Sequence, residues 1–142
     1  MDVEAITIRP GRADDVPAVL ALWALARSAL AVTPDRAEDL VRLVAERPGW
    51  LLVAEAQEQL VGTLIAAWDG WRGNMYRLAV DPRQRRQGIA IALVRAGEAS
   101  LQGRGARRVT ALVAHEDGPA GALWDAAGYP PDREIGRRVR NL

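Results

Sequence analysis

Residues 6–9, I-T-I-R, alternate apolar and polar side chains, and Pro10-Gly11 closes what reads as a short strand. From Asp14 the spacing turns helical. Val16, Val19, Leu20, Trp23 and Leu30 supply the apolar stripe, Asp14 and Asp15 suit an N-terminus, and Pro17 fits a first turn where a missing N–H is harmless. A second helix is expected with Thr33 as cap, Pro34 as its first residue, Leu40, Val41, Leu43 and Val44 on the buried face, and Pro48-Gly49 as the stop. Residues 50–55 and 60–68 then read as a hairpin joined by Gln57-Glu58-Gln59. Residues 75–80, M-Y-R-L-A-V, fit a mostly buried strand, and Asp81-Pro82 breaks it. Beyond that break Ile89, Leu93, Val94 and Leu101 share one face of a helix. Gly103-Arg104-Gly105 stops that helix, 108–113 is another apolar strand, 119–127 a last helix closing at Gly128, and 135–140 a last strand. The order β-α-α-β-β-β-α-β-α-β predicts an α/β chain with an antiparallel first half and a parallel crossover later, a mixed sheet covered by helices.

Composition narrows the classes. The 142 residues, 49% hydrophobic and without a Pro/Gly/Ser-rich linker, predict one domain over 1–142 with a real core. Nineteen basic residues, all Arg, against eighteen acidic ones leave a net charge of +1, so bulk electrostatics draws the chain to neither nucleic acid nor an anionic membrane. The Arg104, Arg107, Arg108 and Arg137, Arg138, Arg140 clusters read as solvated faces. Cysteine is absent and histidine occurs once, which excludes disulfides and thiolate chemistry and argues against a zinc or di-metal centre. The first residues, M-D-V-E-A-I-T, resemble no secretory leader, and no apolar run approaches a membrane span, so a soluble cytoplasmic protein is expected.

The chemistry concentrates in 75–102. Arg85, Arg86, Gln87 and Gly88 lead straight into the first helical turn, where backbone N–H groups lack intrahelical partners. Free N–H groups, the positive end of the helix dipole and nearby guanidinium groups favour a phosphate or pyrophosphate, and Gly88 allows close backbone approach. A P-loop needs a Lys, which this chain lacks, and a dinucleotide fingerprint needs three spaced glycines, of which only Gly88 is found. A diphosphate-bearing ligand and an ordinary Arg-rich loop both remain open on these residues alone.

Arg85, Gly88 and Ala90, following Leu78-Ala79-Val80, resemble the Gln/Arg-x-x-Gly-x-Gly/Ala coenzyme A loop of the GNAT family of N-acetyltransferases. Segment 117–129 resembles a second family block, with Ala120, Leu123, Gly128 and Tyr129 in place. The Asp-Gly-x-Arg-Gly turn at 69–73 is similar to one in small bacterial members. The resemblance implies a GNAT acyl-CoA N-acyltransferase fold, a mixed twisted sheet of six to seven strands flanked by about four helices. It implies acetyl transfer from acetyl-coenzyme A (acetyl-CoA) as cosubstrate to a primary amine of a small molecule or protein, by direct attack in a ternary complex. Leu78, Ala79 and Val80 would then act through backbone on the pantetheine and the acyl carbonyl. Arg85, Arg86, Gln87, Gly88, Ile89 and Ala90 would hold the pyrophosphate, with Asp117, Ala120 and Trp124 also on the coenzyme.

Departures from the family pattern set the catalytic expectations. Trp124 stands where many members carry a Tyr that protonates the leaving thiolate, and an indole N–H is too weak an acid for that. Asp117 replaces a common Asn, Asn74 and Tyr76 stand where a carboxylate base is often found, and Leu112 replaces the Glu of enzymes that act on ribosomal-protein N-termini. Tyr76, expected by period-2 alternation on the face of Asn74 and Leu78, is either a packing aromatic or a group reaching sulfur or amine. His115 is either a solvated loop residue or a general base. Asp69 and Trp71, beside Trp68, are either turn and surface residues or, with Asn74, part of an acceptor pocket. No metal site is expected. A coenzyme A-binding sensor or regulatory module is the alternative function. Only 14 residues follow Gly128, too few for two full strands, so an open sheet edge and a homodimer covering it are expected.

Overall fold

The computed structural model describes residues 5–26, 34–84, 88–113 and 118–142. Its frame is one sheet of β1 (Ile6–Pro10), β2 (Leu51–Ala56), β3 (Gln59–Trp68), β4 (Gly73–Val80) and β5 (Val109–Ala111), in that spatial order. Neighbours from β1 to β4 are antiparallel, while β4 and β5 run parallel. The hairpin between β2 and β3 turns on Gln57 and Glu58 with φ of 51° and 64°, the paired positive values that match the twist of the flanking strands. Gln59 already belongs to β3.

Helices α1 (Val16–Ala26) and α2 (Ala37–Glu46) cover one face, α3 (Ile89–Gly103) and α4 (Gly118–Ala126) the other. On the first face Val16, Val19, Trp23 and Leu40 pack on Leu51 and Val53. On the second, Ile89, Leu93, Val94, Leu101 and Trp124 pack on Leu52, Leu64 and Met75. All four residues expected on the α3 stripe are buried. So is Gly97, where a Cβ would lie 2.7 Å from Leu64 Cδ2 and 2.8 Å from Met75 Cε, so that helix and sheet approach closely there. A 3-10 turn, Ala13–Asp15, leads into α1, with the Arg12 N–H donating to Asp15 at 2.7 Å. Arg9 of β1 grips both Asp15 oxygens at 2.8 Å and donates to Glu55 of β2.

Three expectations are corrected. Helix α2 starts at Ala37 rather than Pro34, because Asp35 is engaged by Arg77 of β4 and the chain stays extended through Arg36. Val41 lies on its solvent side at 47% exposure, whereas Leu40 is buried. Thr33 and Leu30 fall outside the described residues. The strand expected at 135–140 does not form, so the sheet has five strands among the described residues instead of six to seven. Gly136 and the adjacent Arg137 and Arg138 interrupt any alternation, and Ile135 and Val139, each 75% exposed, bury too little to hold a strand against solvent. Among the described residues no helix is long and apolar enough to cross a membrane.

Candidate active site

The centre of the site is a break in β4. Between Tyr76, opposite Ile65, and Ala79, opposite Thr63, β4 spends three steps where β3 spends two. The extra residue falls at Arg77–Leu78, and Arg77 takes φ of 53°, left-handed for a non-glycine residue. The expected alternation holds from Asn74 to Tyr76 and breaks at Leu78. Tyr76 and Ala79 share the α1 face with Ile65 and Thr63, while Leu78 is turned to the α3 face beside Val80.

The β4–β5 pairing ends where the bulge begins. Parallel partners run only from Gly73–Val109 to Met75–Ala111, followed by one bond from Leu112 N–H to the Met75 carbonyl at 3.3 Å. Beyond it β4 has no strand partner on that edge among the described residues. The Asp81 N–H donates to Val61 on β3 at 2.8 Å, so alternation of the peptide groups turns the N–H groups of Val80 and Leu78 toward the open edge. Leu78, Ala79 and Val80 are half-buried there.

The strand then feeds the start of α3. The buried Asp81 accepts from the Arg83 backbone N–H at 2.9 Å and from its Nε and Nη2 at 3.2 and 2.9 Å, and these bonds hold its carboxyl below the usual carboxylate range. Arg85, Arg86 and Gln87 lie outside the described residues. Gly88 caps α3 at φ of 75°, and among the described residues nothing lies within 4 Å of where its Cβ would stand. Its carbonyl accepts the Ala92 N–H at 3.0 Å, which leaves the N–H groups of Ile89 and Ala90 to the first turn, free of intrahelical partners. Among the described residues, a left-handed glycine and N–H groups without a backbone partner at the end of β4 and the start of α3 offer donors suited to an anionic, amide-bearing chain.

Trp124 is only 6% exposed and meets the Tyr129 ring edge-on, centroids 5.0 Å apart at 72°. The Tyr129 hydroxyl donates to Glu98 of α3 at 2.7 Å, and Glu98 also pairs with Arg95 at 2.9 Å. Burial and the bond to Glu98 push the Tyr129 phenol far up, so it is held as a donor. Burial raises the Glu98 carboxyl, but Tyr129 and Arg95 outweigh it and leave it low. Trp124 and Tyr129 thus pin α4 to α3. Ala120 is half-buried on α4, and His115 and Asp117 lie outside the described residues.

Asp69 and Trp71 are not brought to these donors. They sit in the turn at the opposite end of β4, about 20 Å from Val80 at strand rise. Asp69 accepts the N–H groups of Arg72 and Trp71 at 2.6 and 2.7 Å, which hold its carboxyl low, and Trp71 is 81% exposed. Asp69 instead borders an open cavity of about 530 Å³ with Trp50, Trp68, Arg47 and Arg104. Asn74 is half-buried in β4 opposite Ala67 and Thr110.

The structure adds residues that no motif marked. Thr63 of β3 is fully buried, accepts the Trp23 indole N–H at 2.8 Å and donates to the Arg77 carbonyl at 3.0 Å. The Arg77 guanidinium lies over the Trp23 ring, 5.2 Å from its centroid, and pairs with Asp35. The available signals were a lone Thr inside the apolar run of β3 and a lone Arg inside that of β4.

Residues 18–129 match the acetyltransferase (GNAT) family. The chain belongs to that family and is an N-acetyltransferase by class. An acetyltransferase of Pectobacterium atrosepticum is 33% identical over 122 residues, covering 86% of each chain. Among solved structures, Ard1 of Thermoplasma volcanium superposes with a TM-score of 0.76 at 21% identity, covering 87% of this chain and 82% of that one. The aminoglycoside N-acetyltransferase AAC(6')-Iy, solved in complex with CoA, gives 0.73 at 18% identity, covering 97% of each. These two share the fold.

Proposed function

We propose that this chain moves an acetyl group from acetyl-CoA to a primary amine by direct attack within a ternary complex. The observation that carries the reading is the set of donors at the end of β4 and the start of α3: among the described residues β4 loses its β5 partner at the bulge, which turns N–H groups to that edge, and α3 opens on a left-handed glycine. Acetyl-CoA, when bound, supplies the acyl group as a thioester. Gly88, Ile89 and Ala90 hold its diphosphate through backbone N–H groups, joined by Arg85, Arg86 and Gln87. Leu78 and Val80 hold the pantetheine arm and donate to the acyl carbonyl, where charge develops as the amine attacks. The C–N bond forms, the C–S bond breaks, the thiolate leaves and the amine loses a proton. A thiolate is a good leaving group, so the burial of Trp124 in the core, where relatives of this pattern carry an acid, is compatible with turnover.

That burial also favours a second reading, a coenzyme A-binding sensor that retains the loop without catalysis. Two experiments separate them. Calorimetric titration should give micromolar binding of acetyl-CoA, about 8 kcal/mol, that disappears in Gly88→Glu. A panel of amines should then elicit saturable, acetyl-CoA-dependent thiol release; tight binding without release with every amine supports the sensor, and no binding to folded protein ends both. The short edge strand β5 and the exposed Ile135 and Val139 further support a homodimer in which a second copy covers that edge. A purely monomeric sedimentation profile at tens of micromolar would refute it.

A further inference from the structure

The bulge in β4 is held by contacts its own strand does not supply. Arg77 adopts a left-handed φ of 53° without being glycine, so surrounding groups must impose it. Thr63 is one of two buried polar residues among those described, and both bonding capacities of its hydroxyl that face the protein are used. A valine would fill the same volume, so what the hydroxyl adds is its pair of bonds. It accepts from Trp23 and, with its proton thereby directed, donates to the Arg77 carbonyl.

The 77–78 peptide is planar and trans, so its carbonyl and its N–H point in opposite directions. Drawing the Arg77 carbonyl toward Thr63 on β3 therefore turns the Leu78 N–H away from β3, to the open edge. We propose that Thr63 and Arg77 are positioning residues for acyl transfer: Thr63, braced by Trp23, aims the Leu78 N–H at the acyl carbonyl, and Arg77, stacked on Trp23 and paired with Asp35, locks that peptide to α1 and to the entry of α2. This rests on the acyl-transfer reading above. It assigns to a side chain on β3 the orientation of a donor on β4, and it ties the segment ahead of α2 to the same peptide.

The test compares Thr63→Val, which keeps the shape and loses both bonds, with Thr63→Ser, which keeps both. Thr63→Val should lower kcat for acetyl-CoA-dependent thiol release at least about tenfold, as for loss of one aimed donor. KM for acetyl-CoA should stay within about threefold, and Thr63→Ser should restore kcat to within about threefold of wild type, because the diphosphate contacts are untouched. Wild-type kcat in Thr63→Val, or equal loss in Thr63→Ser, would overturn the proposal. Should Thr63→Val not fold, Arg77→Gly takes its place: it accepts the positive φ without strain and removes the clamp, and it should show the same loss of kcat. Titration of the same proteins with acetyl-CoA and with CoA separates this inference from the reading beneath it. Wild type binding neither ligand overturns both. Wild type binding both without releasing thiol to any amine overturns the enzyme reading and, with it, the role in acyl transfer; the aiming of the Leu78 N–H at the acyl carbonyl is then read from the preference for acetyl-CoA over CoA, and a preference unchanged in Thr63→Val overturns that as well.

Discussion

Two glycines, one capping α3 and one within it, constrain the chain for different physical reasons, and substitution separates them. Gly88 needs its backbone angle, with φ of 75° and no described residue within 4 Å of the absent Cβ. Gly88→Ala should cost about 1–2 kcal/mol of stability through that angle alone and leave the packing intact. Gly97 needs its lack of volume, since Leu64 and Met75 already stand within 2.8 Å of the missing Cβ. Gly97→Val should cost about 1–3 kcal/mol by overpacking and disturb the α3 face of the sheet. Denaturant titration reads both, and near-ultraviolet dichroism, sensitive to Trp124 in the same core, should change only for Gly97→Val.

At the scale of elements, the docking of α4 on α3 draws on polar contacts at its C-terminal end, from Arg95 to the Ala127 carbonyl at 3.0 Å and from Tyr129 to Glu98 at 2.7 Å, beside an aromatic pair. Tyr129→Phe retains the edge-on contact with Trp124 but removes a hydrogen bond to ionised Glu98. It should destabilise by about 1.5 kcal/mol, visible as a lowered thermal midpoint. Elements with strong periodicity were legible in the sequence: the α3 stripe of Ile89, Leu93, Val94 and Leu101 is buried throughout, and the strands flanking Gln57-Glu58 start and stop within a residue or two of expectation. The α3 entry at Gly88 was legible because a loop glycine before a helical stripe has few other uses. The bulge was not, since nothing in M-Y-R-L-A-V demands a positive φ at Arg77; Thr63, Trp23 and Asp35 impose it from far along the chain. The start of α2 departs from its local proline signal for the same reason, a long-range ion pair overriding it. The strand expected at 135–140 does not form because two apolar residues cannot offset the cost of ordering without a partner surface.

For the molecule as a whole, acid should loosen the fold through Asp15 at Arg9 and through Glu98. The bonds from Arg9 and from the Arg12 N–H, working against burial, hold Asp15 below its ordinary pKa, and Glu98 is held low as well. A carboxyl with a lowered folded pKa binds fewer protons folded than unfolded. Its stabilisation is therefore full above the unfolded value, near pH 4, and is lost as pH falls through the folded value. Stability should be flat from about pH 7 to pH 5 and fall below about pH 4. Arg9→Met should be less stable at neutral pH and should show a shallower decline in acid, measured by urea unfolding across the series.

The early end of the β4–β5 ladder also sets a clock on individual amides. In the middle of a sheet, peptide protons ordinarily exchange with solvent only when the strands open. Leu78 and Val80 lie inside such a sheet yet face its unpaired edge, so their protons should exchange orders of magnitude faster than that of Asp81, which donates to Val61 one residue away. A stable core thus carries two labile protons at its centre, and any molecule that settles along that edge will announce itself by slowing them.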